Sequence, residues 1–281
     1  MRIVRLLVAL AAAITLAAPG AWAKDWKKVV IATEGAYMPY NGHSPDGKLI
    51  GFEIDLGNNL CSRLEIQCDW VAQDWDGIIP GLNAGKYDAI MDGMSITEKR
   101  MQVIAFTRNY TRAPTVFAVQ KDGPLANLPD DAMNVSLDDK AAMDAAVKAL
   151  TPMLKGKTIG VQTATIQADL LNTYFKDIVT IRTYKTTEEH DLDLMAGRID
   201  AALASTSYFV STLARPGGDK LKLVGPHFTG GLLGMGTGIG LRKSDPELKV
   251  MFDKALNEAV KDGTVKKLSI QWFKTDISPP S

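Results

Sequence analysis

The strongest constraint on the fold is a repeated alternation of short apolar runs with segments of helical spacing. In the first part of the chain, strand-like and helix-like segments follow one another at residues 29–33, 52–64, 66–72, 75–84, 87–91 and 97–103. Strands that alternate with amphipathic helices in this way predict βαβ units around a largely parallel sheet. We therefore predict that this part of the chain forms an α/β lobe.

The same alternation returns in the second half of the chain. Its strand-like and helix-like segments lie at residues 115–120, 158–161, 165–174, 179–184, 187–196 and 200–204. A polar stretch and an alanine-rich helical segment interrupt it at 121–157, which is typical of a surface insertion. A final strand-like run and two helical segments follow at 239–242, 248–260 and 265–272. The pattern predicts a second α/β lobe.

A cluster of glycines separates the second lobe from the last segments of the chain. Its members are Gly230, Gly231, Gly234, Gly236 and Gly238. Glycine adopts backbone conformations that other residues avoid, so a chain can change direction easily at such a cluster. We predict a hinge there.

Residues 1–23 have the pattern of a secretory signal peptide. Arg2 and Arg5 precede an apolar run at 6–18, and the small-residue pattern Ala-Trp-Ala follows at 21–23. The run is too short to span a bilayer, and no later stretch approaches about 20 apolar residues, so we predict export rather than membrane insertion. Because no cysteine occupies the cleavage position, a freely soluble periplasmic product is expected.

The charge balance argues against nucleic acid or an anionic membrane surface as a partner. The 32 Lys and Arg residues equal the 32 Asp and Glu residues, which gives a formal net charge of zero. Both partners are bound by surfaces with an excess of positive charge. A small-molecule ligand is therefore expected, and the sequence predicts no cofactor and no metal.

The two cysteines are expected to form a disulfide. Cys61 and Cys68 are close in sequence, and the signal peptide directs the chain to an oxidising compartment. The alternative is a pair of metal ligands, but a metal site needs further His or Cys nearby. His43, His190 and His227 are scattered singly.

Four motifs, in their order and spacing, resemble one known family. They are IGFEIDL at 50–56, WDGIIP at 75–80, SITEKR at 95–100 and GTGIGLRK at 236–243. The family comprises the extracellular solute-binding proteins of polar amino-acid ABC transporters, of the lysine/arginine/ornithine and histidine type. Membership implies an α/β fold with two doubly wound lobes, a monomer that is not an enzyme, and an ABC permease as partner.

Further stretches resemble the opine-binding branch of this family, which binds octopine, nopaline and similar conjugates of arginine. They are ATEGAY at 32–37, EEHDLDL at 188–194, LVGP at 223–226 leading into the Gly230–Gly231 pair, and the insertion at 121–157. The resemblance therefore implies either a cationic amino acid or an arginine-derived opine as ligand.

The family's fold also implies domain boundaries. After the signal peptide, lobe 1 is expected at 24–112 and 235–281, and lobe 2 at 116–230. The two crossings of the hinge are expected at 111–115 and 228–236.

A ligand carboxylate requires a cation and aligned hydrogen-bond donors. Arg100 is the best candidate, because its guanidinium can grip a carboxylate with two hydrogen bonds and follows Ser95 and Thr97 at the start of a helix. The resemblance places Thr165 on the opposite side of the same carboxylate, with Gln162 and Gln167 as further polar contacts. An ordinary helix cap remains the alternative for Thr165.

The ligand's side chain is expected between aromatic rings and carboxylates. Tyr37 and Trp75 match the positions at which family members sandwich the ligand, although both residues are also typical of a core. Glu34 and Asp92 are the carboxylates expected near a guanidinium or ammonium group, and for Asp92 a capping role remains open.

One position departs from the family pattern. Ordinary members hold the ligand's α-ammonium with an Asp where this chain has Ser205. A hydroxyl is a weaker partner for a primary ammonium, which favours an opine without excluding arginine. The candidate ligand-binding residues are Glu34, Tyr37, Trp75, Asp92, Gly93, Met94, Ser95, Arg100, Gln162, Thr165, Gln167 and Ser205.

Two other functions are compatible with the same fold. A dehydratase-like periplasmic enzyme would need an acid or base in the cleft, for which His43 and Glu34 are the candidates. A ligand sensor would use the same binding chemistry with a different partner. No nucleophile elbow, paired metal motif or phosphate loop is present to favour an enzyme.

Overall fold

The computed structural model describes residues 26–280, so the predicted signal peptide lies outside the described residues. The strands are β1 (Lys28–Thr33), β2 (Gly42–His43), β3 (Leu49–Ile50), β4 (Gln67–Ala72), β5 (Ala89–Ile90), β6 (Ala105–Thr111), β7 (Thr115–Gln120), β8 (Asn134–Ser136), β9 (Thr158–Gln162), β10 (Thr180–Tyr184), β11 (Ala201–Ser205), β12 (Leu221–Thr229) and β13 (Thr237–Leu241). The helices are α1 (Phe52–Arg63), α2 (Ile78–Asn83), α3 (Glu98–Met101), α4 (Lys140–Leu154), α5 (Ile166–Tyr174), α6 (Thr187–Met195), α7 (Thr206–Ala214), α8 (Pro246–Lys261) and α9 (Thr264–Phe273). Within 26–280, none of them is long and apolar enough to cross a membrane.

Two sheets define two lobes. The sheet of the first lobe has the strand order β4-β1-β5-β13-β6, with β4, β1 and β5 parallel and β13 antiparallel to both of its neighbours. The sheet of the second lobe has the order β10-β9-β11-β7-β12-β8, in which β10, β9 and β11 are parallel. The predicted fold class, two doubly wound α/β lobes, is confirmed.

Both faces of each sheet are buried under helices. On β7, Phe117 and Val119 belong to one apolar cluster, while Val116 and Ala118 belong to the cluster on the opposite face. This follows from the two-residue period of a strand, which sends successive side chains to opposite faces. Strands buried on both faces form continuous apolar runs, and these are the runs that made the strands recognisable in the sequence.

The chain passes between the two sheets twice. Residues 112–114 lead from β6 to β7, and residues 230–236 lead from β12 to β13. The insertion at 121–157 contributes β8 and α4 to the second lobe, where β8 pairs in parallel with β12. It is therefore part of the sheet rather than only a surface loop.

Several elements differ from the sequence prediction. The helix predicted at 97–103 is only α3, and the strand predicted at 87–91 is only β5. β12 was not predicted because Gly225 and Pro226 interrupt its apolar pattern, and the register with β7 indeed shifts between Val224 and Phe228. α7 was missed because its sequence is apolar and rich in Thr and Ser, without a charged face.

The predicted disulfide between Cys61 and Cys68 is present. It joins the last turn of α1 to the edge strand β4. In the chain-entropy account, a bond of this kind stabilises the fold because it restricts the unfolded chain.

We predict that replacing both Cys61 and Cys68 by alanine lowers the free energy of unfolding by about 2 to 3 kcal/mol, because the short loop between them is no longer closed in the unfolded chain. Urea unfolding measures this difference. Replacing the exposed Ser62 between them by alanine is the control and should leave the midpoint unchanged. Two alkylatable thiols in the native exported protein would contradict the pairing.

Candidate functional site

The candidate site lies where parallel strands of both sheets end, as is usual in open α/β sheets. Glu34 follows β1 and Asp92 lies just beyond β5, while β9 ends at Gln162 and β11 at Ser205. All four residues line one cavity of about 510 Å³ between the two lobes.

The cavity wall includes all but one of the residues predicted from the sequence. The predicted residues on it are Glu34, Tyr37, Trp75, Asp92, Gly93, Ser95, Arg100, Gln162, Thr165, Gln167 and Ser205. Met94 is the exception, because its side chain is fully buried in the apolar core of the first lobe with Ile90 and Ile104. The structure therefore does not bring the Met94 side chain together with the other predicted residues.

Arg100 supplies a buried cation on this wall. Its Nη1 donates to the Ser95 carbonyl oxygen at 3.0 Å, and its guanidinium lies 5.1 Å from the centre of the Trp75 ring. Burial lowers its pKa to about 10, so it remains charged at neutral pH. No carboxylate among the described residues pairs with it, which leaves the guanidinium available to a ligand carboxylate.

Three carboxylates meet at another part of the site. Glu53 is fully buried in α1, where it accepts hydrogen bonds from the Gly93 amide at 2.8 Å, from Asn41 Nδ2 at 2.9 Å and from the Tyr110 hydroxyl. Asp92 Oδ1 accepts from Asn41 Nδ2 at 3.0 Å and from the Glu34 amide at 3.0 Å.

One oxygen of this cluster has no partner. Asp92 is 2% exposed, and its Oδ2 is buried without a hydrogen bond from any described residue. A buried acceptor left unpaired costs about 1 to 3 kcal/mol. Because Asp92 lines the cavity, a cationic ligand group with N–H donors could satisfy this oxygen.

The crowding of carboxylates alters their titration. The pKa of Glu34 is raised to about 7, chiefly by burial; the hydrogen bond from Gln162 lowers it, and the negative charges of Glu53, Glu188 and Asp74 raise it. The pKa of Asp92 is also raised, first by burial and then by Glu34 and Glu53. A ligand cation would reverse these shifts.

The aromatic side chains are arranged differently from the predicted sandwich. Tyr37 stacks on Tyr40, with ring centres 5.3 Å apart, and on Tyr208, with ring centres 4.8 Å apart. The Arg100 guanidinium lies over the ring of Trp75 in a cation–π contact. Both rings line the cavity, and each also makes a stacking or cation–π contact with a protein side chain.

Gly93 allows Tyr37 to reach this position. A Cβ atom on Gly93 would lie 2.8 Å from Tyr37 Cε1, and the residue has a φ of 56°. Both the close approach and the backbone conformation favour glycine.

The polar residues of the second lobe are partly occupied by protein contacts. The Thr165 hydroxyl caps α5 by accepting from the Ala168 amide at 3.2 Å and donates to the Gln162 carbonyl oxygen at 2.7 Å. Its hydroxyl therefore acts as the helix cap that the sequence left open as the alternative for this residue. Gln167 Nε2 donates to the Thr115 hydroxyl at 3.1 Å.

Hydrogen bonds and ion pairs join the two lobes around the cavity. They link the Tyr37 and Ser205 hydroxyls (2.9 Å), the Tyr40 and Ser207 hydroxyls (2.9 Å), Gln162 Nε2 and Glu34 Oε2 (2.8 Å), Lys99 Nζ and Asp169 Oδ2 (3.1 Å), and Lys185 Nζ and Asp74 Oδ2 (2.8 Å). The lobes are therefore in contact across the cleft.

The sequence reasoning missed the part of the wall that the chain crossings and the insertion provide. These residues include Arg112, Pro114, Thr115, Ser136, Asp138, Thr229 and Gly236. The glycine cluster marked one crossing, but nothing in the local sequence connected the insertion with the site. Within 26–280, no group of three His, Cys, Asp or Glu residues is arranged to hold a metal ion.

Comparison with known proteins identifies similar sequences over nearly the whole chain. The octopine-binding periplasmic protein of Rhizobium meliloti is 43% identical, over 98% of this chain and 99% of the relative. The lysine/arginine/ornithine-binding periplasmic protein of Escherichia coli (strain K12) is 35% identical, over 89% of this chain and 88% of the relative.

A solved structure is similar as well. A periplasmic His/Glu/Gln/Arg/opine family-binding protein from Silicibacter pomeroyi, in complex with lysine, superposes with a TM-score of 0.69 at 34% identity, covering 89% of this chain and 99% of that chain. The profile of one family matches residues 29–275. The family indicated by the sequence motifs is confirmed, and the chain belongs to the bacterial extracellular solute-binding proteins, family 3.

Proposed function

We propose that this protein binds a small guanidinium-bearing ligand, arginine or an arginine-derived opine, and delivers it to an ABC importer. The observation that carries the proposal is the charge arrangement of the cavity, which combines a buried, unpaired Arg100 with the carboxylates Glu34 and Asp92. A ligand with a carboxylate and a cationic side chain complements both.

Arg100 would anchor the ligand carboxylate. A guanidinium and a carboxylate form parallel, charge-assisted hydrogen bonds, and these are strongest where water is excluded. The Thr165 amide at the start of α5 is a further donor for the same group, because the first amides of a helix have no partner within the helix.

Glu34 and Asp92 would receive the guanidinium. This group carries five N–H donors in one plane and remains charged under all physiological conditions. The unpaired Asp92 Oδ2 and the partly buried Glu34 carboxylate are acceptors of the matching kind. A small neutral side chain would leave both carboxylates without a partner.

Ser205 favours an opine over a free amino acid. An opine carries a secondary amine with a second acid group, whereas a free amino acid presents a primary ammonium that pairs best with a carboxylate. The names of the relatives support this range, since one is an octopine-binding protein and another a lysine/arginine/ornithine-binding protein.

The two lobes would close around the ligand. We assign lobe 1 to residues 24–112 and 235–281, lobe 2 to residues 116–230, and the hinge to the crossings at 111–115 and 228–236. The protein would act as a periplasmic monomer, released by removal of the signal peptide, and its partner would be the permease of the importer.

The dehydratase alternative has little support. The relatives described above are binding proteins. His43, one of the two candidates for an acid or base, does not line the cavity, and its Nδ1 is hydrogen-bonded to the Gly35 carbonyl oxygen at 3.0 Å. Glu34 alone provides no acid–base pair for an elimination.

Replacing Arg100 by alanine should weaken ligand binding by about 2 to 5 kcal/mol, because the ligand carboxylate would be buried without its cationic partner. Isothermal titration calorimetry with arginine and octopine measures the change, after thermal melting has confirmed the fold. Replacement of Arg182, an arginine on the surface of the second lobe, by alanine is the matched control. An Arg100 variant with affinity within threefold of the wild type would rule out this anchor.

Affinity for a guanidinium ligand should fall as the pH is lowered below about 7. The Glu34 carboxyl, whose pKa is about 7 without ligand, is then increasingly protonated, and a bound cation must displace that proton. For one proton the affinity changes by at most about tenfold per pH unit. Calorimetry from pH 5.5 to 8, in buffers with different ionisation enthalpies, should detect proton release on binding.

The matched variants for this experiment are Glu34→Gln and Glu98→Gln. The first should remove the proton release, whereas the second changes an exposed glutamate away from the cavity and should preserve it. Proton release that persists in the Glu34 variant would assign it to another group.

Replacing Ser205 by aspartate should shift preference from opines towards free amino acids. Ser205 caps α7 by accepting from the Tyr208 amide at 3.2 Å, and aspartate is an equally good cap, so the fold is expected to persist. The new carboxylate would attract a primary ammonium and repel an opine's second acid group. Competition between octopine and arginine measures the shift, and an unchanged ratio of affinities would place the ligand nitrogen elsewhere.

A further inference from the structure

Arg112 differs from every other arginine in residues 26–280. The guanidinium groups of the others each have a partner: Arg63 with Asp262, Arg100 with the Ser95 carbonyl, Arg108 with Asn257, Arg182 and Arg198 with Asp193, Arg215 with Glu188, and Arg242 with Asp88. No described residue forms a hydrogen bond or ion pair with the side chain of Arg112. Among the arginines of residues 26–280, it is therefore the one whose guanidinium has neither a hydrogen-bonded nor an ion-paired protein partner.

Arg112 is an exposed residue that lines the ligand cavity at its hinge end and also borders the neighbouring surface groove. It belongs to the first crossing between the sheets, and its stem lies over Gly236 of the second crossing, where an added Cβ would be 2.8 Å from Arg112 Cγ. The absence of a side chain at Gly236 thus makes room for the stem of this arginine beside the cavity.

The hinge end continues directly from the position expected for the ligand nitrogen. Ser205 at the end of β11 is paired in register with Thr115 at the start of β7. Thr115 lies three residues beyond Arg112 in the same crossing. Thr115 and the hinge therefore lie next to the position that a substituent on a nitrogen near Ser205 would occupy.

The insertion completes this end of the cavity. Ser136 on β8 lies opposite Thr229 on β12, and both line the cavity and carry hydroxyls. Asp138 also lies on this wall, but its Oδ1 accepts from the Gly231 amide at 3.1 Å, so this carboxylate has a donor of its own. Arg112 has none.

We infer that the hinge end of the cavity is a second anion-binding subsite, in which Arg112 receives a carboxylate attached to the ligand nitrogen. This inference rests on the proposed function and narrows it. The ligand then carries two acid groups and one guanidinium, with the first carboxylate at Arg100 and the second at Arg112. Such a compound is an N-carboxyalkyl derivative of arginine, and free arginine leaves the subsite empty.

Calorimetry with octopine and with arginine tests this inference on the wild type and three variants. Arg112→Gln removes the charge, Arg112→Lys retains it, and Lys243→Gln makes the same change of charge at an exposed residue that borders only the neighbouring surface groove. Arg112→Gln should weaken octopine by about tenfold or more, as expected for a hydrogen bond between charged groups, and arginine by less than about twofold. Arg112→Lys should recover most of the octopine affinity, and Lys243→Gln should change neither ligand.

The outcomes separate this inference from the proposed function. An Arg112→Gln variant that binds octopine as the wild type does, or that loses both ligands equally, overturns the second subsite. A wild-type protein that binds arginine but neither octopine nor nopaline also overturns the subsite, while the proposed guanidinium-binding function stands. A wild type that binds no guanidinium compound, but does bind glutamine or alanine, overturns both.

Discussion

The buried carboxylate of Glu53 is the interaction on which the site depends. It receives hydrogen bonds from Asn41 just before β2, from Gly93 beyond β5 and from Tyr110 on β6, and so ties three separate segments to α1. Because an ionisable group is expensive to bury, these donors must stay in place, and the backbone at Gly93 is fixed with them. Asp92, the adjacent residue, is thereby held against the cavity with one oxygen unpaired.

Charge in the cavity is arranged so that the protein's own groups do not neutralise one another. Arg100 is covered by the ring of Trp75 and bonded to a carbonyl, and the carboxylates of Glu34 and Asp92 are bonded to amides. Uncharged partners hold each charged group in position without neutralising its charge. A ligand of complementary charge gains the interactions that the empty protein lacks, and this is a physical basis for selectivity among small molecules of similar size.

Most of the fold and much of the site could be predicted from the sequence, because buried parallel strands leave continuous apolar runs and polar residues at their ends. The Met94 side chain lies in the core, since a contiguous motif such as 91–95 does not reveal which of its side chains face the cavity. The sequence did not indicate β12, because Gly225 and Pro226 interrupt its pattern. The bulge at these residues is recognised only from the pairing of β12 with β7. The sequence around Arg112 does not indicate a binding role, because a lone arginine in a polar segment is typical of any protein surface.

The stack of Tyr40, Tyr37 and Tyr208 has a consequence for the empty protein. The contact between Tyr37 and Tyr208 joins the lobes through protein groups alone, and an aromatic pair of this kind is worth about 0.5 to 1.5 kcal/mol beyond its buried area. It therefore raises the fraction of ligand-free molecules that are closed. A transporter that recognises the closed shape would also bind these molecules, although they have no ligand to deliver. The strength of this ring contact thus affects both how readily the protein captures its ligand and how often the ligand-free protein binds the transporter.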